Sequence, residues 1–226
     1  MGENVKIRAA DGHELDAYVA RPQGEPIAGL VVVQEAFGVN SHIRSVTDSW
    51  AKDGFFAVAP ALFDRIERGV ELGYTSEDLQ RGVALIRRGD TGDRLKDVAA
   101  ALDYARRETG KKVGVIGYCL GGTMAWLAAA RLDPDAAVGY YGGQIVQYAR
   151  EKPKAPIMLH FGKEDSHIPK DEIDSKVAAA HPEVPIFWYE GAGHGFSCND
   201  RASYNPEAAK LARERSLEFL KEHLTS

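Results

Sequence analysis

A cysteine stands where a short, glycine-flanked motif predicts a catalytic nucleophile. The apolar run 113–116 leads directly into GYCLGG at residues 117–122, with the nucleophile position two residues from a glycine on each side. Such a nucleophile sits on a tight turn from a strand into a helix, so its neighbours must be small. The start of that helix offers free N–H groups that would stabilise a thiolate and an oxyanion. The alternative for Cys119 is a buried structural cysteine beside helix-packing glycines.

Two later segments supply partners for this nucleophile in the required chain order. In proteins with this turn the acid follows the nucleophile and the histidine comes last. Asp165 lies in a turn-rich loop after the apolar run 156–161, and His194 lies between glycines after the run 186–190. We therefore predict that His194 is the general base and that Asp165 orients it. Taken separately, Asp165 is also a typical turn aspartate and His194 an ordinary loop histidine.

A fourth candidate, Glu35, follows the early apolar run 30–33. A carboxylate beside a thiol opposes formation of the thiolate, so Glu35 considered alone is a solvated loop residue. The backbone N–H groups of its neighbour Ala36 and of Leu120 are predicted to form the two-donor oxyanion hole of this kind of site.

Short apolar runs alternate with helical patterns along the whole chain. The predicted strands cover residues 5–10, 15–21, 29–33, 55–59, 112–117, 136–141, 155–161 and 185–190, and the predicted helices cover 41–53, 76–88, 93–108, 121–132, 170–180 and 206–223. An Asp-Gly turn between the first two strands is typical of a β-hairpin. The alternation predicts an α/β protein with a mainly parallel central sheet and helices on both faces. Because no linker interrupts it, residues 1–226 are predicted to be one domain.

Composition excludes several classes of protein. Of 226 residues, 44% are hydrophobic and 27% charged, which argues against disorder, and the net charge of −5 argues against a nucleic-acid partner. Two cysteines are too few for a disulfide framework. His160, His167 and Asp165 lack the helical spacing of a zinc motif, and no nucleotide-binding pattern occurs, so we predict no metal and no cofactor. Without a targeting segment or a long apolar run, we expect a cytoplasmic protein with no membrane partner. We expect a monomer, with an oligomer as the alternative.

Five segments spread over nearly the whole chain form a specific set. They are QEAFG at 34–38, GYCLGG at 117–122, GYYG at 139–142, Asp165 with the Ile-Pro pair at 168–169, and GHGF at 193–196. Together they resemble the dienelactone hydrolases (carboxymethylenebutenolidases). The resemblance implies an α/β-hydrolase fold that hydrolyses small lactones or esters, with Cys119 as nucleophile. It also implies that Glu35 holds the resting thiol and swings on substrate binding to help His194 form the thiolate.

The substrate-binding part of the family pattern matches less closely. Dienelactone-cleaving members hold the substrate carboxylate with two arginines, a bidentate task suited to guanidinium. The first corresponds to Arg65, whereas the position of the second is occupied by Cys198, with Arg201 as a nearby substitute. Arg81 is a further alternative for this position, although we favour its interpretation as a solvated surface charge, and we interpret Cys198 as a bystander thiol. Tyr141 either lines the pocket or packs in the core.

The sequence therefore predicts a hydrolase of small lactones or esters that works through an acyl-enzyme on Cys119. A broader carboxylesterase or thioesterase acting on uncharged esters is the second interpretation. A catalytically silent fold used for binding or sensing is the third, and the intact set of Cys119, Asp165 and His194 argues against it.

Overall fold

An eight-stranded sheet runs through the molecule and contains a counterpart of every predicted strand. The computed structural model describes residues 2–226. The strands are β1 (Glu3–Arg8), β2 (Glu14–Ala20), β3 (Ala28–Val33), β4 (Phe55–Pro60), β5 (Val113–Tyr118), β6 (Ala136–Tyr140), β7 (Ile157–Gly162) and β8 (Ile186–Tyr189). Their order across the sheet is β1-β2-β4-β3-β5-β6-β7-β8, with β2 antiparallel to β1 and β4, and all other pairs parallel. The predicted mainly parallel α/β architecture is confirmed.

Helices cover both faces of this sheet. They are α1 (Ser41–Lys52), α2 (Ser76–Arg88), α3 (Thr91–Thr109), α4 (Leu120–Arg131), α5 (Lys170–Ile173) and α6 (Pro206–Leu224). A Cβ on Gly29 would touch Ala105 of α3, and Gly29 is paired in the sheet with Val113. A Cβ on Gly114, the residue that follows Val113 in β5, would touch Leu220 of α6. Since neighbouring residues of a strand point to opposite faces, α3 and α6 lie on opposite sides of the sheet.

The helices on both faces of the sheet explain why the central strands are apolar. Every residue of β3, β4 and β5 is buried, so these strands are continuous apolar runs rather than alternating ones. None of the helices within residues 2–226 has the length and apolar character needed to cross a membrane.

Two predicted elements differ in detail from the structure. The hairpin is present, but β1 ends at Arg8 and β2 begins at Glu14, so a five-residue loop, 9–13, joins the two strands. Gly12 in this loop has a φ of +88°. The predicted helix 170–180 is only the single turn of α5, followed by a wider π-helical segment, Asp174–Ala178. There the hydroxyl of Ser175 donates to the carbonyl oxygen of Asp171 at 2.6 Å. Such side-chain bonds to the preceding turn compete with regular helix geometry.

The parallel strands bring the predicted site residues to one edge of the sheet. Glu35 follows β3, Cys119 follows β5, Asp165 follows β7 and His194 follows β8. In a parallel sheet the carboxyl ends of the strands meet at the same edge, where ligands bind in folds of this class.

Candidate active site

The turn between β5 and α4 holds Cys119 in a strained backbone conformation. Its φ is 54° and its ψ is −111°, a region that residues other than glycine rarely adopt. A Cβ on Gly117 would lie 1.8 Å from the carbonyl oxygen of Gly121, and a Cβ on Gly121 would lie 2.2 Å from that of Val33. Only glycine fits at these two positions, which is the physical requirement behind the motif.

The structure brings Cys119, His194 and Asp165 together. Nε2 of His194 lies 3.2 Å from Sγ of Cys119, and Nδ1 lies 2.7 Å from Oδ2 of Asp165. The other carboxylate oxygen of Asp165 accepts the backbone N–H of His167 at 2.9 Å. This contact fixes the carboxylate, which in turn orients the imidazole toward the thiol. The geometry allows a proton to pass from the thiol to His194.

The surroundings of His194 favour its protonated form. Burial acts to lower its pKa, but when Cys119 is a thiolate, its charge and hydrogen bond together with those of Asp165 outweigh burial and raise the pKa to about 10. An imidazolium stabilised in this way is the form that exists after the histidine has taken the thiol proton. The ring of Tyr141 lies 5.2 Å from the imidazole ring, and its hydroxyl is 2.6 Å from Oγ of Ser197. Tyr141 is fully buried, so it packs against the histidine.

The two predicted oxyanion donors have no acceptor within residues 2–226: the backbone N–H groups of Ala36 and Leu120 make no hydrogen bond there. Their two segments are joined by the N–H of Gly121, which donates to the carbonyl oxygen of Gln34 at 3.0 Å. The side chain of Gln34 also donates to the carbonyl oxygen of Glu35 at 3.2 Å and accepts the N–H of Leu62 at 3.0 Å. Gln34 therefore fixes the loop that carries one donor, a role that only its place in the QEAFG motif could have suggested.

Glu35 is buried and paired with an arginine. Its Oε1 accepts from Nη1 of Arg201 at 3.2 Å, and its Oε2 accepts from the hydroxyl of Tyr74 at 3.4 Å. The predicted contact between Glu35 and the thiol of Cys119 is not among the hydrogen bonds of the described chain. The structure thus places Glu35 beside the substitute arginine instead. Gly195 makes room for this pair, because a Cβ there would lie 2.4 Å from Nη1 of Arg201.

The remaining predicted arginines are occupied by other carboxylates. Arg65 makes two hydrogen bonds with Asp97 and two with Asp11, at 2.8 to 3.1 Å. Asp97 is fully buried in α3 and needs a cation there, so the structure does not offer Arg65 as a free substrate-binding group. Arg81 pairs with Glu67 on the exposed surface.

The second cysteine differs strongly from the first in its surroundings. Cys198 is fully buried, whereas Cys119 is partly exposed. Burial and the negative charge of Glu35 raise the pKa of the Cys198 thiol to about 11. A thiol that ionises so weakly is a poor nucleophile at neutral pH.

An open parallel sheet with a nucleophile turn after β5, an acid after β7 and a histidine after β8 defines an α/β-hydrolase. Residues 15–224 match the model of the dienelactone hydrolase family. The chain is 37% identical to a carboxymethylenebutenolidase of Pseudomonas putida over 97% of this chain and 96% of that protein. The chain belongs to the dienelactone hydrolase family, and it is a hydrolase acting on esters or lactones. The family resemblance predicted from the sequence is confirmed.

Solved structures of the same fold agree. A putative dienelactone hydrolase from Klebsiella pneumoniae subsp. pneumoniae MGH 78578 has a TM-score of 0.83 at 28% identity, covering 97% of this chain and 99% of that one. A dienelactone hydrolase-like promiscuous phosphotriesterase from metagenomic libraries has a TM-score of 0.78 at 20% identity, covering 99% of both chains. At 20% identity, the similarity to the phosphotriesterase shows only that the two proteins share a fold.

Helix α2 packs directly on the loop that carries the predicted oxyanion donor. A Cβ on Gly82, in the middle of α2, would lie 2.1 Å from the carbonyl oxygen of Ala36. Gly82 is not among the residues predicted from the sequence, where its only signal is a glycine inside a helical pattern. Its lack of a side chain sets the distance between α2 and the site.

We predict that Gly82→Ala lowers kcat for p-nitrophenyl acetate by about tenfold or more, because the new methyl group displaces Ala36 and its N–H donor. Steady-state kinetics and thermal unfolding of the same preparations test this. Gly92→Ala is the matched control, since its methyl group would meet only a side-chain oxygen of Asp90 at 3.0 Å. A folded Gly82→Ala protein with the original kcat would contradict the proposed place of this donor.

Proposed function

We propose that this chain hydrolyses small lactones or esters through a thioester formed on Cys119. The observation that carries the proposal is the line of contacts from Sγ of Cys119 to Nε2 of His194 at 3.2 Å and from Nδ1 of His194 to Asp165 at 2.7 Å. It joins a nucleophile, a base and an orienting carboxylate in one geometry. Membership of an ester and lactone hydrolase family supports the same chemistry.

In the first half of the reaction His194 takes the proton of the Cys119 thiol, and the thiolate attacks the carbonyl carbon. The carbonyl oxygen becomes an oxyanion that accepts hydrogen bonds from the N–H groups of Ala36 and Leu120. When the intermediate collapses, the C–O bond of the ester breaks, and His194 returns its proton to the leaving alkoxide. In a lactone the alcohol formed in this step stays attached to the acyl group.

In the second half a water molecule attacks the thioester while His194 takes its proton. A second oxyanion forms in the same place, and its collapse breaks the C–S bond. The products are a carboxylic acid, which ionises at neutral pH, and the regenerated thiol of Cys119.

Glu35 and Arg201 are proposed to act as a pair that substrate separates. In the resting site the carboxylate is bound to the guanidinium at 3.2 Å. If an anionic group of the substrate takes the place of Glu35 on Arg201, the freed carboxylate can move toward His194 and favour transfer of the thiol proton. Substrate would then activate the nucleophile, and a resting thiol is less easily oxidised than a thiolate.

We predict that Cys119→Ser lowers kcat for p-nitrophenyl acetate by about 1,000-fold or more, whereas Cys198→Ser leaves it unchanged. The chain has only these two cysteines, so each variant is the control for the other. Iodoacetamide should inactivate the unmodified protein with one label on Cys119, because Cys198 is buried. A Cys119→Ser protein that keeps the original rate, or inactivation that follows labelling of Cys198, would contradict the thioester mechanism.

A broader carboxylesterase that acts on uncharged esters is the second candidate. The observation in its favour is that each arginine considered for the substrate carboxylate already has a carboxylate partner. These pairs are Arg65 with Asp11 and Asp97, Arg81 with Glu67, and Arg201 with Glu35. A substrate with an acidic group must displace one of these partners, whereas a neutral ester need not.

Substitution of Arg201 separates the two candidates. If Arg201 binds a substrate carboxylate, Arg201→Gln should raise KM for carboxylate-bearing lactones about tenfold or more relative to neutral ones. Arg201→Lys keeps the charge but loses the planar fork, so it should give a smaller rise. Arg81→Gln removes an exposed cation and is the control. An equal change in KM for both classes of lactone would favour the uncharged-ester function.

A further inference from the structure

Three potential metal ligands from distant parts of the chain meet beside the catalytic residues. They are Glu35 after β3, His42 in the first turn of α1 and Cys198 in the loop after β8, and all three are buried. One ligand atom from each lies within 4.8 Å of the others. This is the only such group within residues 2–226. The histidine considered from the sequence, His160, is instead buried in hydrogen bonds with Tyr189 and Ser216.

The donor atoms match the preference of zinc. A thiolate sulfur, an imidazole nitrogen and a carboxylate oxygen are the three ligand types that Zn²⁺ uses in proteins. With bonds of about 2.0–2.3 Å, the ligand atoms of a tetrahedral zinc site lie roughly 3.5 Å apart. Small side-chain movements are therefore enough to close this group around an ion, and the fourth position remains open to water.

Neighbouring residues support the same use of His42. Nδ1 of its ring lies 3.1 Å from the side-chain oxygen of Asn199. Metal-binding histidines are commonly oriented by such an outer hydrogen bond from the nitrogen that does not bind the metal. His42 and Asn199 also line a cavity of about 320 Å³ between α1 and α6. This cavity gives a hydrated ion a route to His42, one of the three proposed ligands.

Two charged or polar groups compete with an ion for Glu35. Arg201 donates to one oxygen at 3.2 Å, and the hydroxyl of Tyr74 lies 3.4 Å from the other. Binding of a cation would therefore weaken the pair between Glu35 and Arg201 and hold the carboxylate at the metal.

We propose that Glu35, His42 and Cys198 form a zinc-binding site whose occupation inhibits hydrolysis. The Cys198 thiol releases its proton as the Zn–S bond forms. The inhibition rests on the proposed function, in which Glu35 must move to activate the nucleophile, whereas binding of the metal does not depend on that function.

Cobalt(II) absorption tests the binding site without any measurement of activity. Cobalt takes the place of zinc, and a bound thiolate gives a sulfur-to-metal charge-transfer band in the near ultraviolet. We expect this band in the Cys119→Ser protein at one equivalent of Co²⁺, and its loss when Cys198→Ser or Cys198→Ala is added to Cys119→Ser, so that the thiol of Cys119 cannot supply the band. His42→Gln should weaken cobalt binding about tenfold or more. A band that persists in the Cys198 variants, or no band in any of the proteins, would overturn the site.

Inhibition by zinc tests the proposed effect of metal binding on hydrolysis. Zn²⁺ should inhibit hydrolysis of a carboxylate-bearing lactone by the unmodified protein, because that substrate must displace Glu35 from Arg201, and a chelator should restore the rate. Cys198→Ser should need about tenfold more zinc or higher for the same inhibition. A cobalt band on Cys198 without zinc inhibition would overturn the inhibitory role and leave the metal site standing. Loss of activity in Cys119→Ser alone reports separately on the hydrolase mechanism.

Discussion

The close approach of β5 and α4 at two glycines is the constraint on which the site depends. A Cβ on Gly117 would lie 1.8 Å from the carbonyl oxygen of Gly121, and the tight turn between these two glycines holds Cys119 at a φ of 54°. Within the described residues 2–226, the N–H of Leu120 that follows this turn makes no hydrogen bond. The same turn is tied to the Glu35 loop by a hydrogen bond from Gly121 to Gln34. The proposed nucleophile and the two proposed oxyanion donors are thus held by two backbone segments that this hydrogen bond joins.

Electrostatics around this turn is arranged by pairing rather than by net charge. The chain carries −5 overall, yet the region next to Cys119 holds a buried carboxylate and a partly buried guanidinium bound to one another. Each of these two charges is stabilised by the other. Removing one would leave the other uncompensated, which would strongly destabilise the folded protein. We propose that two ligands act on this pair: an anionic substrate would compete with Glu35 for Arg201, and a zinc ion at Cys198 would compete with Arg201 for Glu35.

The sequence predicted correctly that Cys119, Asp165 and His194 lie together, because the fold determines their order along the chain. Cys119, Asp165 and His194 each follow a strand, so the strand pattern alone predicted that they meet. The sequence did not predict contacts in which the partner residue comes from a distant helix or loop. The pairing of Arg65 with buried Asp97 depends on how α3 packs, and the cluster of His42 with Cys198 depends on how α1 meets the last loop. No spacing rule reports such contacts. The predicted helix 170–180 is regular only over Lys170–Ile173; it continues as a π-helical segment, in which the hydroxyl of Ser175 donates to the carbonyl oxygen of Asp171.

The proposed mechanism requires that the acyl group is carried by the sulfur of Cys119. Acid quenching during turnover of a slowly hydrolysed ester, followed by mass spectrometry of proteolytic peptides, measures where the acyl group resides. We expect one added acyl group on the peptide that contains Cys119, both in the unmodified protein and in Cys198→Ser. An acyl group on any other residue, or turnover without any acylated peptide when deacylation is rate-limiting, would contradict it.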